Sequence, residues 1–220
     1  TILLRRMKTA VGVTLRPNQA GFGPGRSCCE HIFAVRQIVD KCLAWQKPIV
    51  MNFVDFKKAF DCIHRESLWT IVAKYGIPKK LINIMKDFYR DSRCAVRVDG
   101  VLSEFFDIQS GVKQGCVLSP FLFGIVMDWV LKTSMKDGGG LDWIDGKQLS
   151  DLDFADDIVL LHSSWEGMQA MTQSMKQEAR KVGLVINATK TKITTAGKWN
   201  STGKVTIGAD EAESCEEFCY

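Results

Sequence analysis

The stretch Phe154-Ala155-Asp156-Asp157 decides both the fold and the chemistry of this 220-residue chain. Apolar residues lead into it, and the apolar run 158–161 leads out of it. Short apolar runs on both sides of a polar pair predict two strands joined by a tight turn. Two adjacent carboxylates repel each other unless a cation or a basic group joins them. The turn is therefore a candidate cation site.

A third carboxylate follows another predicted strand far upstream. Residues 49–54 are apolar apart from Asn52, and Asp55 comes directly after them. An acidic residue after a strand is often only a turn former or a helix cap. Together with Asp156 and Asp157, however, Asp55 provides the oxygen ligands that a two-Mg²⁺ phosphoryl-transfer site needs. Because neighbouring side chains on a strand point to opposite faces, we expect Asp156 to be the principal ligand and Asp157 the weaker one.

The composition is that of a globular domain with a hydrophobic core. The chain is 46% hydrophobic and 25% charged, with a net charge of +4, which permits a polyanionic partner without requiring one. It contains no apolar run of about 18 residues, so no membrane span is predicted. The eight cysteines form no CxxC pair and no zinc-type cluster with histidine. They predict free, buried thiols in a reducing compartment.

Predicted helices and strands alternate along the chain. Asp99-Gly100 predicts a two-residue hairpin turn within residues 93–108. The segment that starts at Ser119-Pro120 is apolar nearly all round, so the helix that it forms must be central. A methionine stripe in residues 168–182 predicts a core-facing helix. Because hairpins make the sheet at least partly antiparallel, the pattern favours the α+β class.

Five segments resemble, in order, the sequence boxes of reverse transcriptases. The segments are residues 19–27, 55–61, 111–120, 154–157 and 183–191. A single Asp-Asp box is weak evidence, whereas five boxes in the family's order are strong evidence. The amino-acid sequences of these boxes are most similar to those of non-LTR retrotransposon enzymes. The resemblance implies a polymerase palm, in which helices back an antiparallel sheet, together with part of the fingers.

The resemblance also implies a domain organisation. Residues 1–47 would form part of the fingers, and residues 48–220 would form the palm, with a fingers insertion around 76–112. Residues 218–220 are similar to the start of the primer-gripping turn. No thumb is expected within the chain.

Roles for individual residues follow from the same resemblance. Asp55, Asp156 and Asp157 would be catalytic metal ligands, and Lys190 would protonate departing pyrophosphate or steady its charge. Phe60 would be the gate that blocks a ribose 2′-hydroxyl. The resemblance also implies that five residues contact the nucleotide or the template: Phe56, Lys113, Gln114, Gly115 and Arg26.

Without the motifs, several of these residues have simpler interpretations. Phe60 would be a core phenylalanine, Lys190 a solvated lysine and Gln114 an ordinary loop residue. Arg26 would be a solvated arginine at a helix start. Asp61, in the second box, is expected to be structural, as a cap for the next helix.

The predicted function is that of an RNA-directed DNA polymerase with two Mg²⁺ ions, for which Mn²⁺ could substitute. The partners would be an RNA template, a DNA primer and deoxynucleoside triphosphates, with no membrane, and nuclear action would fit the family. One alternative is a catalytically inactive retroelement remnant that binds RNA or a protein partner. A phosphoacceptor signalling domain is disfavoured by the order of its acids and by the Asp99-Gly100 hairpin. A viral RNA polymerase is disfavoured by the bulky Phe60.

Overall fold

The computed structural model describes residues 2–12, 14–16, 18, 21, 27–135, 138–143, 146–199 and 202–215. The helices are α1 (Ile2–Val11), α2 (Cys28–Ala44), α3 (Ala59–Cys62), α4 (Arg65–Lys74), α5 (Lys79–Tyr89), α6 (Ser119–Ser134) and α7 (Trp165–Lys181). The strands are β1 (Ile49–Val54), β2 (Arg93–Cys94), β3 (Arg97–Val98), β4 (Val101–Leu102), β5 (Phe106–Asp107), β6 (Leu141–Asp142), β7 (Gln148–Leu149), β8 (Asp151–Phe154), β9 (Asp157–His162), β10 (Lys192–Ala196), β11 (Thr206–Ile207), β12 (Asp210–Glu211) and β13 (Glu213–Ser214). Among these residues, no helix combines the length and the apolar character needed to cross a bilayer.

A five-stranded sheet in the order β13-β10-β1-β9-β8 forms the centre of the fold. The strand β1 pairs antiparallel with both β9 and β10, and β8 pairs antiparallel with β9. The short β13 adds a parallel edge to β10. All six residues of β1 are buried, as expected for a strand with neighbours on both edges and cover on both faces. The predicted α+β class with a largely antiparallel sheet is confirmed.

The two faces of the sheet carry different partners. Val50, Val54 and Ile158 face the large core that contains α6 and α7. The opposite face contributes Phe53 and Val159 to a smaller core under α2. As predicted, α6 is buried nearly all round and the methionine stripe of α7 points into the core.

The predicted hairpin after α5 is present, but it is exposed on both sides. Asp99 and Gly100 both have positive φ, at 49° and 84°, as a type I′ turn requires. The strand β3 pairs with β4, and β2 pairs with β5. Val98 and Val101 are 62% and 73% exposed, so the apolar alternation in this segment does not mark a buried face.

The cysteines correct a second expectation. Cys28 and Cys94 are exposed, and Cys42, Cys62 and Cys116 are only half-buried. The described cysteines are free thiols, as predicted, but they are not core residues. Apolar sequence neighbours did not indicate burial here: Ile63 is completely buried, yet the adjacent Cys62 is only half-buried.

Arg16, in the segment after α1, is surrounded by three buried carboxylates. Its Nη1 donates to Asp151 Oδ2 (2.7 Å) and its Nη2 to Asp153 Oδ2 (2.8 Å). Its Nε and its backbone N–H both donate to Asp128 Oδ1, at 3.2 and 2.9 Å. The hydroxyl of Tyr75 donates to the other Asp128 oxygen (2.5 Å). Because a guanidinium presents its donors in a rigid fork, this one side chain joins the segment after α1 to α6 and β8.

Within this cluster, Asp153 holds its proton more tightly than an ordinary aspartic acid does. Its burial and then the charge of Asp151 raise the pKa of Asp153 well above the ordinary value. Burial also opposes the ionisation of Asp151, but hydrogen bonds from Asp153 and Ser150 and the charge of Arg16 lower its pKa. Asp153 Oδ1 is buried and no donor reaches it. Because hydrogen bonds to a carboxylate favour its charged form, an oxygen without a donor is in keeping with the raised pKa of Asp153.

We expect Asp153→Asn to stabilise the fold at neutral pH. The folded chain holds the Asp153 proton more tightly than the unfolded chain does. The contribution of Asp153 to stability is therefore full at low pH and is lost as the pH rises from the unfolded pKa, about 3.9, towards the raised folded value. An amide resembles the protonated carboxyl, so the gain in unfolding free energy should be absent near pH 4 and largest near pH 7, in urea titrations.

Asp151→Asn is the matched comparison. Both Asp151 oxygens accept hydrogen bonds, from Arg16 and from Ser150. An amide would either turn its NH₂ group against the guanidinium or lose the hydrogen bond that Ser150 donates, and in both orientations Arg16 loses an anionic partner. We expect a loss of about 2–3 kcal/mol at pH 7. Equal losses in the Asp151 and Asp153 variants would contradict the raised pKa of Asp153.

Candidate active site

The pairing of β1 with β9 brings two of the predicted carboxylates together. Val54 pairs with Ile158 in this antiparallel ladder, so one further step places Asp55 opposite Asp157. Directly opposite residues in an antiparallel pair share a face of the sheet. Asp55 and Asp157 therefore lie on the face that carries Phe53, away from α6 and α7.

Asp156 stands at the tip of the hairpin. Phe154 pairs with Asp157, which leaves Ala155 and Asp156 as the two turn residues. Ala155 has φ +60°, whereas Asp156 is not among the residues with positive φ, and this is the pattern of a type II′ turn. A non-glycine residue in this conformation is strained, and such strain concentrates at functional sites. That Asp156 is the principal ligand and Asp157 the weaker one stays a prediction.

The three carboxylates form a negatively charged site. Burial, followed by the charges of Asp156 and Asp55, raises the pKa of Asp157. Asp55 Oδ2 is buried without a hydrogen-bond partner. In the described part of the chain, no salt bridge involves any of the three. Since a buried acceptor without a donor costs free energy, a cation at this position would stabilise the site.

The ligand set is open rather than closed. Within the described residues, no three His, Cys, Asp or Glu side chains are grouped so that they could hold a metal ion by themselves. Mg²⁺ commonly keeps several waters and binds through one or two carboxylates together with substrate phosphates. An Asp55 oxygen without a partner, beside two further carboxylates, fits such a hydrated ion. The three side chains do not form an all-protein cage.

The backbone of Asp55 is fastened to the segment after α7. Asn187 N–H donates to Asp55 O (2.8 Å), and Asp55 N–H donates to Thr191 Oγ1 (3.3 Å). The buried Thr191 in turn donates its hydroxyl to Asn187 O (2.9 Å). Lys190 lies in this turn with its side chain exposed, at the Asp55 end of β1. The sequence pointed to Lys190 but not to Asn187 and Thr191, although all three lie in the box 183–191.

The two aromatic residues that follow Asp55 are placed differently. Phe56 is only 6% exposed, and its backbone forms an isolated bridge to Ile186. Its ring is therefore part of the core behind the site. Phe60, in α3, is half-buried and stacks on Phe123 of α6, with ring centroids 4.3 Å apart and an interplanar angle of 7°. The stack holds the ring of Phe60 rigidly. A side chain that acts by steric exclusion must be held in this way.

The glycine loop, residues 110–116, is attached to α3 and the residue after it. Gly111 N–H donates to Ile63 O (2.8 Å), and Val112 N–H donates to Phe60 O (2.8 Å). Gly111 has φ +76°, and a Cβ added to it would lie 2.6 Å from Asp61 O. Both the conformation and the close approach therefore require glycine at this position.

The polar residues of this loop are exposed, and each has an intramolecular partner. Gln114 Nε2 donates to Asp61 Oδ1 (2.9 Å), and Lys113 Nζ donates to Phe88 O (2.6 Å). The prediction that Asp61 caps the next helix is wrong, because its carboxylate accepts from Gln114 and α4 has His64 at its N-cap. Gly115 has φ +80° and open space around it.

Arg65 is a further residue that the sequence did not indicate. Its guanidinium donates to two carbonyls of the loop, those of Gly111 (3.1 Å) and Ser110 (3.2 Å), and to the carbonyl of Ile108 (2.7 Å) just before it. It also lies over the ring of Tyr89, 5.1 Å from the centroid. Arg65 therefore fixes the start of the glycine loop against α4 and α5.

Two predicted features cannot be placed. Arg26, which we expected to meet phosphate, lies outside the described residues, as does most of the box 19–27. The segment 218–220, expected to begin a primer-gripping turn, also lies outside them.

A strand-end carboxylate opposite an acidic hairpin turn, on a sheet backed by helices, defines a polymerase palm. The chain belongs to the family described as reverse transcriptase (RNA-dependent DNA polymerase), whose model matches residues 1–215. The resemblance inferred from the five boxes is thereby confirmed at the level of the family.

The curated relatives are proteins of non-LTR retrotransposons. The retrovirus-related Pol polyprotein from type-2 retrotransposable element R2DM of Drosophila melanogaster is 29% identical over 196 residues, which are 86% of this chain and 18% of that protein. The corresponding R2 protein of Nasonia vitripennis is 32% identical over 138 residues, 63% of this chain and 13% of that protein. The chain therefore spans less than a fifth of the length of these relatives.

Solved structures show the same fold. Apo telomerase from Candida tropicalis, truncated from its C-terminal domain, matches with a TM-score of 0.70 at 18% identity over 93% of this chain and 42% of that chain. The telomerase of the same organism in complex with a TWJ fragment of telomeric RNA matches with a TM-score of 0.69 at 16% identity, over 99% of this chain and 38% of that chain. The predicted palm with part of the fingers is confirmed as a fold.

The loop geometry predicts unequal effects of two glycine substitutions. Gly111→Ala should lower the unfolding free energy by about 2–4 kcal/mol, because the positive φ and the contact with the Asp61 backbone both oppose a side chain. Gly115→Ala shares the positive φ but meets no atom within 4 Å, so it should cost only about 1 kcal/mol. Urea denaturation of both variants measures the difference, and equal losses would contradict the packing of the loop on α3.

Proposed function

We propose that the chain forms the polymerase site of an RNA-directed DNA polymerase. The site would add deoxynucleotides to a primer 3′-hydroxyl on an RNA template and release pyrophosphate. The observation that carries this proposal is the register that places Asp55 opposite Asp157, with Asp156 in the adjoining turn. Family membership over residues 1–215 supports the same chemistry.

Asp55, Asp156 and Asp157 would hold two Mg²⁺ ions, or Mn²⁺ in their place. When bound, such a pair activates the attacking hydroxyl and neutralises the charge that develops on the phosphates. The orphaned Asp55 Oδ2 and the raised pKa of Asp157 support this assignment, since a divalent cation would satisfy the first and relieve the repulsion behind the second.

The remaining predicted residues would act on the nucleotide and its phosphates. Phe60, held by its stack on Phe123, would exclude a 2′-hydroxyl. Lys190 would protonate the departing pyrophosphate or balance its charge. Nucleotide and template contacts are assigned to the residues named from the boxes, which are Lys113, Gln114, Gly115 and Arg26, together with Phe56. Because the ring of Phe56 belongs to the core, Phe56 would make its contact through the backbone alone.

The partners would be an RNA template, a DNA primer and deoxynucleoside triphosphates. The telomerase neighbour was solved with a fragment of telomeric RNA, which supports an RNA partner for the shared fold. In this assignment residues 1–47 contribute to the fingers and residues 48–220 form the palm, with a fingers insertion around 76–112. The net charge of +4 suits a polyanionic ligand, so affinity for a primer–template duplex should fall with salt.

Primer extension tests the catalytic assignment. Purified protein is mixed with an RNA template, a DNA primer, deoxynucleotides and Mg²⁺, and wild type is compared with Asp156→Asn. Asparagine keeps the volume but removes the charge that binds metal, so incorporation should fall by about a hundredfold or more. Equal incorporation by the two proteins would exclude Asp156 as a catalytic ligand. Stabilisation of wild type by Mg²⁺ without any incorporation would favour a remnant that binds without catalysis.

Sugar discrimination tests Phe60. Phe60→Ala should incorporate ribonucleotides that wild type rejects, because the ring no longer fills the space beside the 2′-carbon. Phe60→Tyr keeps the ring and its stack, so it should retain the discrimination. The ratio of kcat/KM values for deoxynucleotide and ribonucleotide gives the answer, and an unchanged ratio in the alanine variant would remove Phe60 from this role.

A further inference from the structure

The strand β8 is the less supported half of the hairpin that carries Asp156 and Asp157. Among the described strands of the central sheet, β8 lies at an edge and pairs only with β9. It ends at Phe154, directly before the two-residue turn. A turn this short transmits any shift of β8 to the carboxylates, so contacts on the outer side of β8 affect the geometry of the site.

Those contacts come from the segment that contains Arg16 and Asn18. Asn18 Nδ2 donates to Asp151 O (3.2 Å), and Asp153 N–H lies 3.5 Å from Asn18 O. The guanidinium of Arg16 binds the carboxylates of the same two strand residues. Both the backbone and the side chains of β8 are therefore held from outside the sheet.

The third carboxylate in this cluster connects β8 to the helix behind the site. Asp128 belongs to α6 and is fully buried. The same helix contributes Phe123, on which Phe60 stacks. Because Arg16 uses Nε for Asp128 and its two Nη atoms for β8, its planar fork sets the distance between α6 and β8. A lysine could supply one positive charge but not three donors in fixed directions.

We propose that Arg16 is a positioning residue for the acidic hairpin, which it holds in place by joining Asp151 and Asp153 of β8 to Asp128 of α6. Arg16 touches neither substrate nor metal in this role, and acts through β8 on the placement of Asp156 and Asp157 beside Asp55. The inference rests on the proposed function and extends it. A purely stabilising cluster would behave differently, since its loss would lower global stability without a selective effect on the hairpin.

Arg16→Lys tests the role of the fork while keeping the charge. Arg65→Lys is the matched control, because Arg65 also bridges several acceptors but contacts no residue of β8. Two readouts are compared under conditions where each variant is folded: amide hydrogen exchange of residues 155–159, and Mn²⁺ affinity by electron paramagnetic resonance. Arg16→Lys should speed exchange in the turn and weaken Mn²⁺ binding by about tenfold each. Arg65→Lys should change neither.

A second variant keeps the proposal testable if Arg16→Lys does not fold. Asn18→Ala removes one side-chain hydrogen bond to β8, at a cost of about 1 kcal/mol, and should alter both readouts in the same direction by a smaller factor. Unchanged exchange and unchanged Mn²⁺ affinity in the folded variants would reduce Arg16 to a stabilising role.

Asp55→Asn separates this proposal from the proposed function. If wild type binds Mn²⁺ no more tightly than the Asp55→Asn variant does, the assignment of the metal site is wrong. The exchange measurement then still decides whether Arg16 fixes the hairpin, because it needs no metal.

Discussion

The antiparallel pairing of β1 with β9 is the constraint on which the site depends. It joins two segments far apart in the chain and sets Asp55 opposite Asp157. A slip of one residue would move Asp157 to the other face of the sheet. All of β1 and the four central residues of β9 are buried between the two cores, so any other register would expose apolar side chains and bury polar ones. The packing that stabilises the fold thus also determines the position of the acids.

The site itself contains features that oppose stability. Burial and then like charges raise the pKa of Asp157, Ala155 occupies a conformation that favours glycine, and Asp55 Oδ2 has no donor. Such features persist only where the surrounding structure determines them. Here the surroundings are β1 and α6, together with the turn 187–191 that binds the backbone of Asp55. A cation would reduce the repulsion within this rigidly held cluster of negative charges.

Sequence reasoning succeeded where local pattern and chemistry coincide. The acidic hairpin, the strand before Asp55 and the central helix α6 could each be predicted from apolar runs and from the boxes. It failed where the partner is remote. The contacts of Arg16 lie 112 to 137 residues away in the chain, and no local pattern marks them. The structural role predicted for Asp61 stands, but the helix cap suggested for it was wrong for the same reason, since its partner Gln114 comes from a loop 53 residues later.

The most direct test of this account is to locate a bound metal. Crystals of the protein soaked with Mn²⁺ would be measured near the manganese absorption edge. We predict an anomalous peak within about 2–2.5 Å of Asp55 Oδ2, shared with a carboxylate of the hairpin. The absence of a peak there, in crystals that bind Mn²⁺ elsewhere, would contradict the claim that these acids form a common metal site.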